Sequence, residues 1–135
     1  MVRETRYGVG VVVQGEFDAA VARTIDALKA EGFGIMTTID VAQTLKQKLN
    51  VDFRRYVILG ACNPPLAHRS LQAELEIGLL LPCNVIVYDR GDGTLGVSAM
   101  APVPTMRMVG NPALADVAAE ADVRLRRALA AIEAQ

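Results

Sequence analysis

The sequence predicts an α+β fold, a mixed or mostly antiparallel sheet with helices on one face. Three observations lead there. Short Val- and Ile-rich runs alternate with longer segments of helical periodicity. Two of those runs flank Gly91-Asp92-Gly93, a turn that joins antiparallel neighbours. A long amphipathic segment closes the chain. The hairpin argues against a doubly wound nucleotide fold, which is built on a parallel sheet.

Each element has a local reason. Tyr7–Val13 is apolar and rich in Val, which predicts a strand. Phe17–Glu31 predicts a helix, because Phe17, Val21, Ile25 and Leu28 recur on one face. Gly32 stands where a left-handed cap ends that helix. Gly34–Ile39 predicts a short strand. Asp40 caps a second helix, and Gln43, three residues on, completes a capping box. Val41, Leu45 and Leu49 line one face of it, while Lys46 and Lys48 face water. Arg55–Cys62 predicts a third strand centred on Tyr56-Val57-Ile58-Leu59.

The third strand stops at Asn63-Pro64-Pro65, and the same residues start a helix. Asn63 suits the N-cap, and Pro64 suits the first helical position, where no N–H is needed. That helix is expected to reach Glu74. Cys83–Asp89 and Thr94–Met100 are the hairpin strands. Pro102 and Pro104 are expected to break the chain. The last helix is expected over Pro112–Glu133, with Leu114, Val117, Ala121, Leu125, Ala128 and Ile132 on its core face.

Composition narrows the function classes. The chain has 135 residues, which predicts one domain over residues 1–135. The hydrophobic fraction is 52% and the charged fraction 21%, which argues against intrinsic disorder. Fourteen Lys and Arg stand against fifteen Asp and Glu, for a net charge of −1. With no basic excess and only 4% aromatic residues, general nucleic-acid binding is not expected. The charged Met1–Arg6 segment is followed by no apolar stretch of the secretory kind, so a cytoplasmic protein is expected. The longest apolar run, Ile77–Tyr88, is interrupted by Pro82, Cys83 and Asn84 and is too short to span a bilayer. No membrane role is expected. Two cysteines then read as reduced thiols.

The chemistry-bearing residues gather around two echoing motifs, Cys62-Asn63-Pro64-Pro65 and Cys83-Asn84. A thiol just before a helix N-terminus feels the positive end of the macrodipole, which favours a thiolate. Cys62 is thus a candidate reactive thiol or soft metal ligand; the plainer reading is a small buried hydrophobe at a strand end. If the strands are neighbours, Cys83 meets Cys62 in a reversible disulfide or a shared metal site. The spacing between them fits neither a Cys-x-x-Cys redox motif nor a zinc ribbon. His68, the one histidine, lies about a turn into the Pro64 helix and is a candidate base or third ligand. Met100, Met106 and Met108 are candidates to line an adaptable apolar pocket or a Cu(I) site, with core filling as the plainer reading.

The runs Gly32-Phe33-Gly34-Ile35, Ile39-Asp40-Val41, Thr44-Leu45-Lys46 and Val51-Asp52-Phe53 carry a resemblance. So do Ile58 through Ala67 and Ile77 through Val85, each with its Cys-Asn pair. Together they resemble the domain of unknown function 302 family of small bacterial and archaeal proteins. The resemblance implies a curved antiparallel sheet gripped by helices, of the TATA-box-binding-protein class, and it suggests homodimers. It implies no activity, and fold alone does not choose one.

The reading that follows is a non-enzymatic binding domain. A small apolar or soft ligand would sit beside Cys62, Asn63, His68, Cys83 and Asn84, where polar groups converge within apolar sequence. Cys62, His68 and Cys83 are the metal-ligand candidates, and no cofactor is named by the sequence. One alternative is a thiol- or metal-dependent redox protein using Cys62 and Cys83. Another is an interaction module that dimerises, with Leu79-Leu80-Leu81 at the interface.

Overall fold

The computed structural model describes residues 1–134. One antiparallel sheet carries six strands in the order β1-β2-β6-β5-β4-β3. They are β1 (Arg3–Glu4), β2 (Gly8–Val13), β3 (Gly34–Asp40), β4 (Tyr56–Cys62), β5 (Cys83–Asp89) and β6 (Leu95–Met100). The helices are α1 (Phe17–Ala30), α2 (Val41–Leu49), α3 (Pro64–Ala73), α4 (Pro102–Arg107) and α5 (Ala115–Glu133). Single 3₁₀ segments occupy Leu75–Leu80 and Pro112–Leu114. The sheet is open and curved, as expected.

Strand alternation builds the core. Val9, Val11 and Val13 of β2, Val57, Leu59 and Ala61 of β4, Val85 and Val87 of β5, and Leu95, Val97 and Ala99 of β6 all point to one side. There α1 and α5 cover them. Leu125, Ala128, Leu129 and Ile132 of α5 and Phe17, Ala20, Ala27 and Leu28 of α1 complete one cluster. The other side of the sheet carries Gly10, Ile58, Gly60, Ile86, Tyr88 and Gly96. Tyr88 lies flat on that side because its cross-strand partner is Gly96: a Cβ there would stand 2.4 Å from Tyr88 Cζ.

The caps behave as their residue types require. At the end of α1, the Gly32 N–H donates to Lys29 O and the Phe33 N–H to Leu28 O, the double bond of a Schellman motif. Gly32 takes φ +88°, the left-handed conformation that motif needs. Phe33 and Leu28 are buried in the same cluster, which supplies the apolar contact that accompanies such an end. Asp40 Oδ1 accepts from the Gln43 N–H at 2.9 Å and caps α2. Asn63 Oδ1 accepts from the Leu66 N–H and caps α3.

Three features depart from the sequence expectation. Pro102 and Pro104 do not break the chain; they lie in the first turn of α4. The N–H groups of a first turn have no intrahelical partner, so two prolines there cost nothing. Leu75–Leu80 coils into a 3₁₀ segment, which the Leu-rich run did not announce. β1 is only two charged residues and exists through its pairing with β2.

Helix α2 also stands apart. It has no fully buried residue: Val41 and Leu45 are half-buried, and Leu49 is exposed. Among the described residues no helix is long and apolar enough to cross a membrane.

Candidate functional site

β4 and β5 are hydrogen-bonded neighbours, and Ala61 is the cross-strand partner of Cys83. Cys62 follows one residue later, where β4 turns into α3. Both cysteines line one cavity of about 30 Å³ at this end of the sheet. Phe33, Leu66, Ser70, Pro82 and Met106 are among its walls, and Val117, Ala118 and Ala121 of α5 close it. Burial on β5 is set by the pleat, which aims Cys83 at the helices with Val85 and Val87. By the same alternation Cys62 starts on the other side of the pleat from Cys83. It is half-buried, whereas Cys83 is buried.

The cavity is apolar and uncharged. No Asp, Glu, His, Lys or Arg is among its lining residues. Burial pushes the Cys83 thiol up to about 11, and the nearby Cys62 adds to the push. Cys83 is therefore a neutral thiol at physiological pH. Two of the side-chain oxygens present are already engaged. Ser70 Oγ donates to Leu66 O at 2.9 Å, one turn back on α3. Asn63 Oδ1 serves as the helix cap, and Asn63 is buried. Such a lining can enclose a small neutral ligand; it offers no proton-transfer partner.

The structure brings Cys62, Asn63 and Cys83 together at the cavity and leaves two other candidates outside it. His68 is exposed on α3, two residues from the buried Leu66 and Ser70 that form the helix's inner face. Asn84 is exposed on β5, on the side of the sheet that bears Ile86 and Tyr88. Among the described residues no three His, Cys, Asp or Glu side chains form a group that could hold a metal ion. Of the methionines, Met106 reaches the cavity, while Met108 and Met36 are exposed.

Leu66, Ser70 and Pro82 were not proposed as site residues from the sequence, whereas Met106, a candidate pocket-lining methionine, does line the cavity. A partial signal was present: Asn63, Leu66, Ala67 and Ser70 recur at helical spacing and give α3 a small-residue inner face.

A wider groove of about 330 Å³ adjoins the cavity. Val103, Arg107, Asn111 and Pro112 form its rim, and it shares Met106 and Ala118 with the cavity. Those two side chains line both spaces.

The family model described as Domain of unknown function DUF302 matches residues 9–132. The chain belongs to that family. A crystal structure of an uncharacterized conserved DUF302 protein from Bacillus stearothermophilus is similar, at 33% identity and a TM-score of 0.87. That likeness covers 94% of this chain and 98% of the other. No curated protein matches the chain. Both Cys-Asn motifs and the cavity lie within the matched DUF302 region.

Proposed function

We propose that this DUF302 protein is a non-enzymatic binding module that encloses a very small apolar or soft ligand between Cys62 and Cys83. One observation carries the reading: two thiols from separate strands, far apart in sequence, line the same apolar cavity. Its size limits the ligand. A water needs about 10–15 Å³ of such space, so about 30 Å³ admits a ligand of one to a few heavy atoms. The uncharged lining favours a neutral ligand. The neutral Cys83 thiol supplies a soft, polarisable contact.

Access runs through the groove between α4 and α5. Met106 lines both spaces, and its unbranched thioether side chain changes rotamer at low cost. His68 and Asn84 take no part in this reading. A cytoplasmic setting suits it, because both thiols are unbridged.

The redox alternative has less support. A disulfide needs both Cβ vectors to converge, and the cross-strand partner of Cys83 is Ala61, with Cys62 one register step beyond. The melting temperature under xenon pressure tests the binding reading. A saturable rise that Ala67→Leu abolishes supports it; no rise in the wild-type protein overturns it.

A further inference from the structure

The wider groove between α4 and α5 has a chemistry of its own. Its volume of about 330 Å³ falls within the roughly 300–1,000 Å³ that small-molecule sites occupy. Small residues leave it room. Ala115, Ala118 and Ala119 recur at i, i+3 and i+4, so one strip of α5 carries methyl groups alone. Val103, Met106 and Leu114 extend the apolar wall. Met106, Leu114 and Ala118 are buried in one cluster with Ile77, which anchors this wall in the core. The rim is held as well. Asn111 Nδ2 donates to Ala73 O at 3.0 Å and to Glu74 Oε1 at 3.1 Å, and its Oδ1 accepts from the Ala113 N–H at 3.0 Å. The groove is thereby tied to the end of α3 and stands preformed.

Charge is the second feature. Arg107, in the last turn of α4, is the one charged residue among those lining the groove. Among the described residues it belongs to no ion pair. The carboxylates of the neighbouring elements are used elsewhere. Glu74 accepts from Asn111, and Glu120 pairs with Arg69 and Arg124. Asp116 is exposed and does not line the groove. An apolar wall beside one unanswered cation is complementary to a ligand with an apolar body and one negative charge.

We propose that this groove is a second ligand site and takes a small monocarboxylate with a short apolar body. The Arg107 guanidinium offers a planar fork that meets one carboxylate through two parallel hydrogen bonds. The apolar body lies against Met106 and the alanine strip of α5. One cation answers one charge; a phosphate monoester, with nearly two at neutral pH, would leave charge unpaired. Volume sets the length. At roughly ten times the volume of the cavity, the groove holds on the order of ten heavy atoms, a chain of about eight carbons with its carboxylate. The site is distinct from the cavity between the thiols, whose lining is uncharged.

Titration with octanoate into the low millimolar range, followed by carbon–proton NMR of the methyl groups, tests this. Saturable shifts are expected at Ala115, Ala118 and Ala119, with none at the exposed Met36 and Leu79. Arg107→Gln is expected to weaken octanoate binding at least about tenfold, and octan-1-ol is expected to bind wild type at least about tenfold more weakly than octanoate. Ala119→Leu, which fills the groove from an exposed position, should abolish binding. Ala67→Leu, which fills the cavity and not the groove, should leave it unchanged, so the two sites stand or fall separately. The absence of saturable shifts in wild type overturns the proposal. So does octanol binding as tightly as octanoate, Arg107→Gln matching wild type, or loss of octanoate binding in Ala67→Leu. The comparison of octanol with octanoate uses the wild-type protein and decides even where a variant fails to fold.

Discussion

Ala61 and Cys83 face each other across β4 and β5, so Cys62 stands one register step beyond, at the point where the strand becomes α3. This relationship explains why the two thiols share a cavity and yet differ. Cys83 belongs to the pleat of the core, whereas Cys62 belongs to a strand end.

Cys83 is expected to make stability fall at alkaline pH. Its thiol has a folded value near 11, raised above the ordinary 9.0 by burial. The folded protein therefore holds its proton where the unfolded chain releases it. The contribution is complete below pH about 9 and is lost as pH rises towards 11. Unfolding free energies from urea titrations across that window should fall for the wild-type protein by about 2 kcal/mol more than for Cys83→Ala. Equal slopes would mean that the Cys83 thiol is not held neutral by burial.

The junction between α1 and α3 is expected to be intolerant of a side chain. A Cβ at Gly32 would stand 2.9 Å from Asn63 Nδ2 and 3.3 Å from Arg124 Nη1, and its φ is +88°. Arg124 Nη1 is itself held by Glu31 O at 3.0 Å. Gly32→Ala is expected to cost about 1–3 kcal/mol by urea denaturation. Gly34→Ala, whose Cβ meets nothing within 4 Å, is the matched control and should lie within about 0.5 kcal/mol of wild type.

Asn63 is expected to act on stability through the cap. Its Oδ1 accepts from the Leu66 N–H in a buried setting. Asn63→Ala should cost about 1 kcal/mol, and Asn63→Asp, which keeps the acceptor, should recover most of it. Chemical denaturation of the three proteins reads the difference. An equal loss in Asn63→Asp and Asn63→Ala would assign the role of Asn63 to packing.

Much of this architecture was legible in the sequence because it is local. Gly32, Asp40 and Asn63 announce helix ends by their own backbone and side-chain preferences. The core face of α5 follows from spacing alone, and Leu114, Val117, Ala121, Leu125, Ala128 and Ile132 are all buried. What escaped depends on tertiary partners. β1 has no apolar alternation to read and is a strand only beside β2. Pro102 can begin a helix as well as end one, and packing of Met106 and Leu114 in one cluster decides which. At the site, strand adjacency brought Cys62 and Cys83 together, as their echoing motifs hinted. The outward directions of His68 and Asn84 follow from the phase of a helix and of a pleat, which a one-residue shift would reverse.

The central claim is that the cavity between Cys62 and Cys83 takes up a small apolar ligand. A xenon titration followed by carbon–proton NMR of the methyl groups tests it most directly. Saturable shifts are expected at Met106 and Leu66, which line the cavity, with none at Met36 and Leu79, which are exposed. Shifts that grow without saturating, or that appear equally at the exposed methyls, would contradict the account.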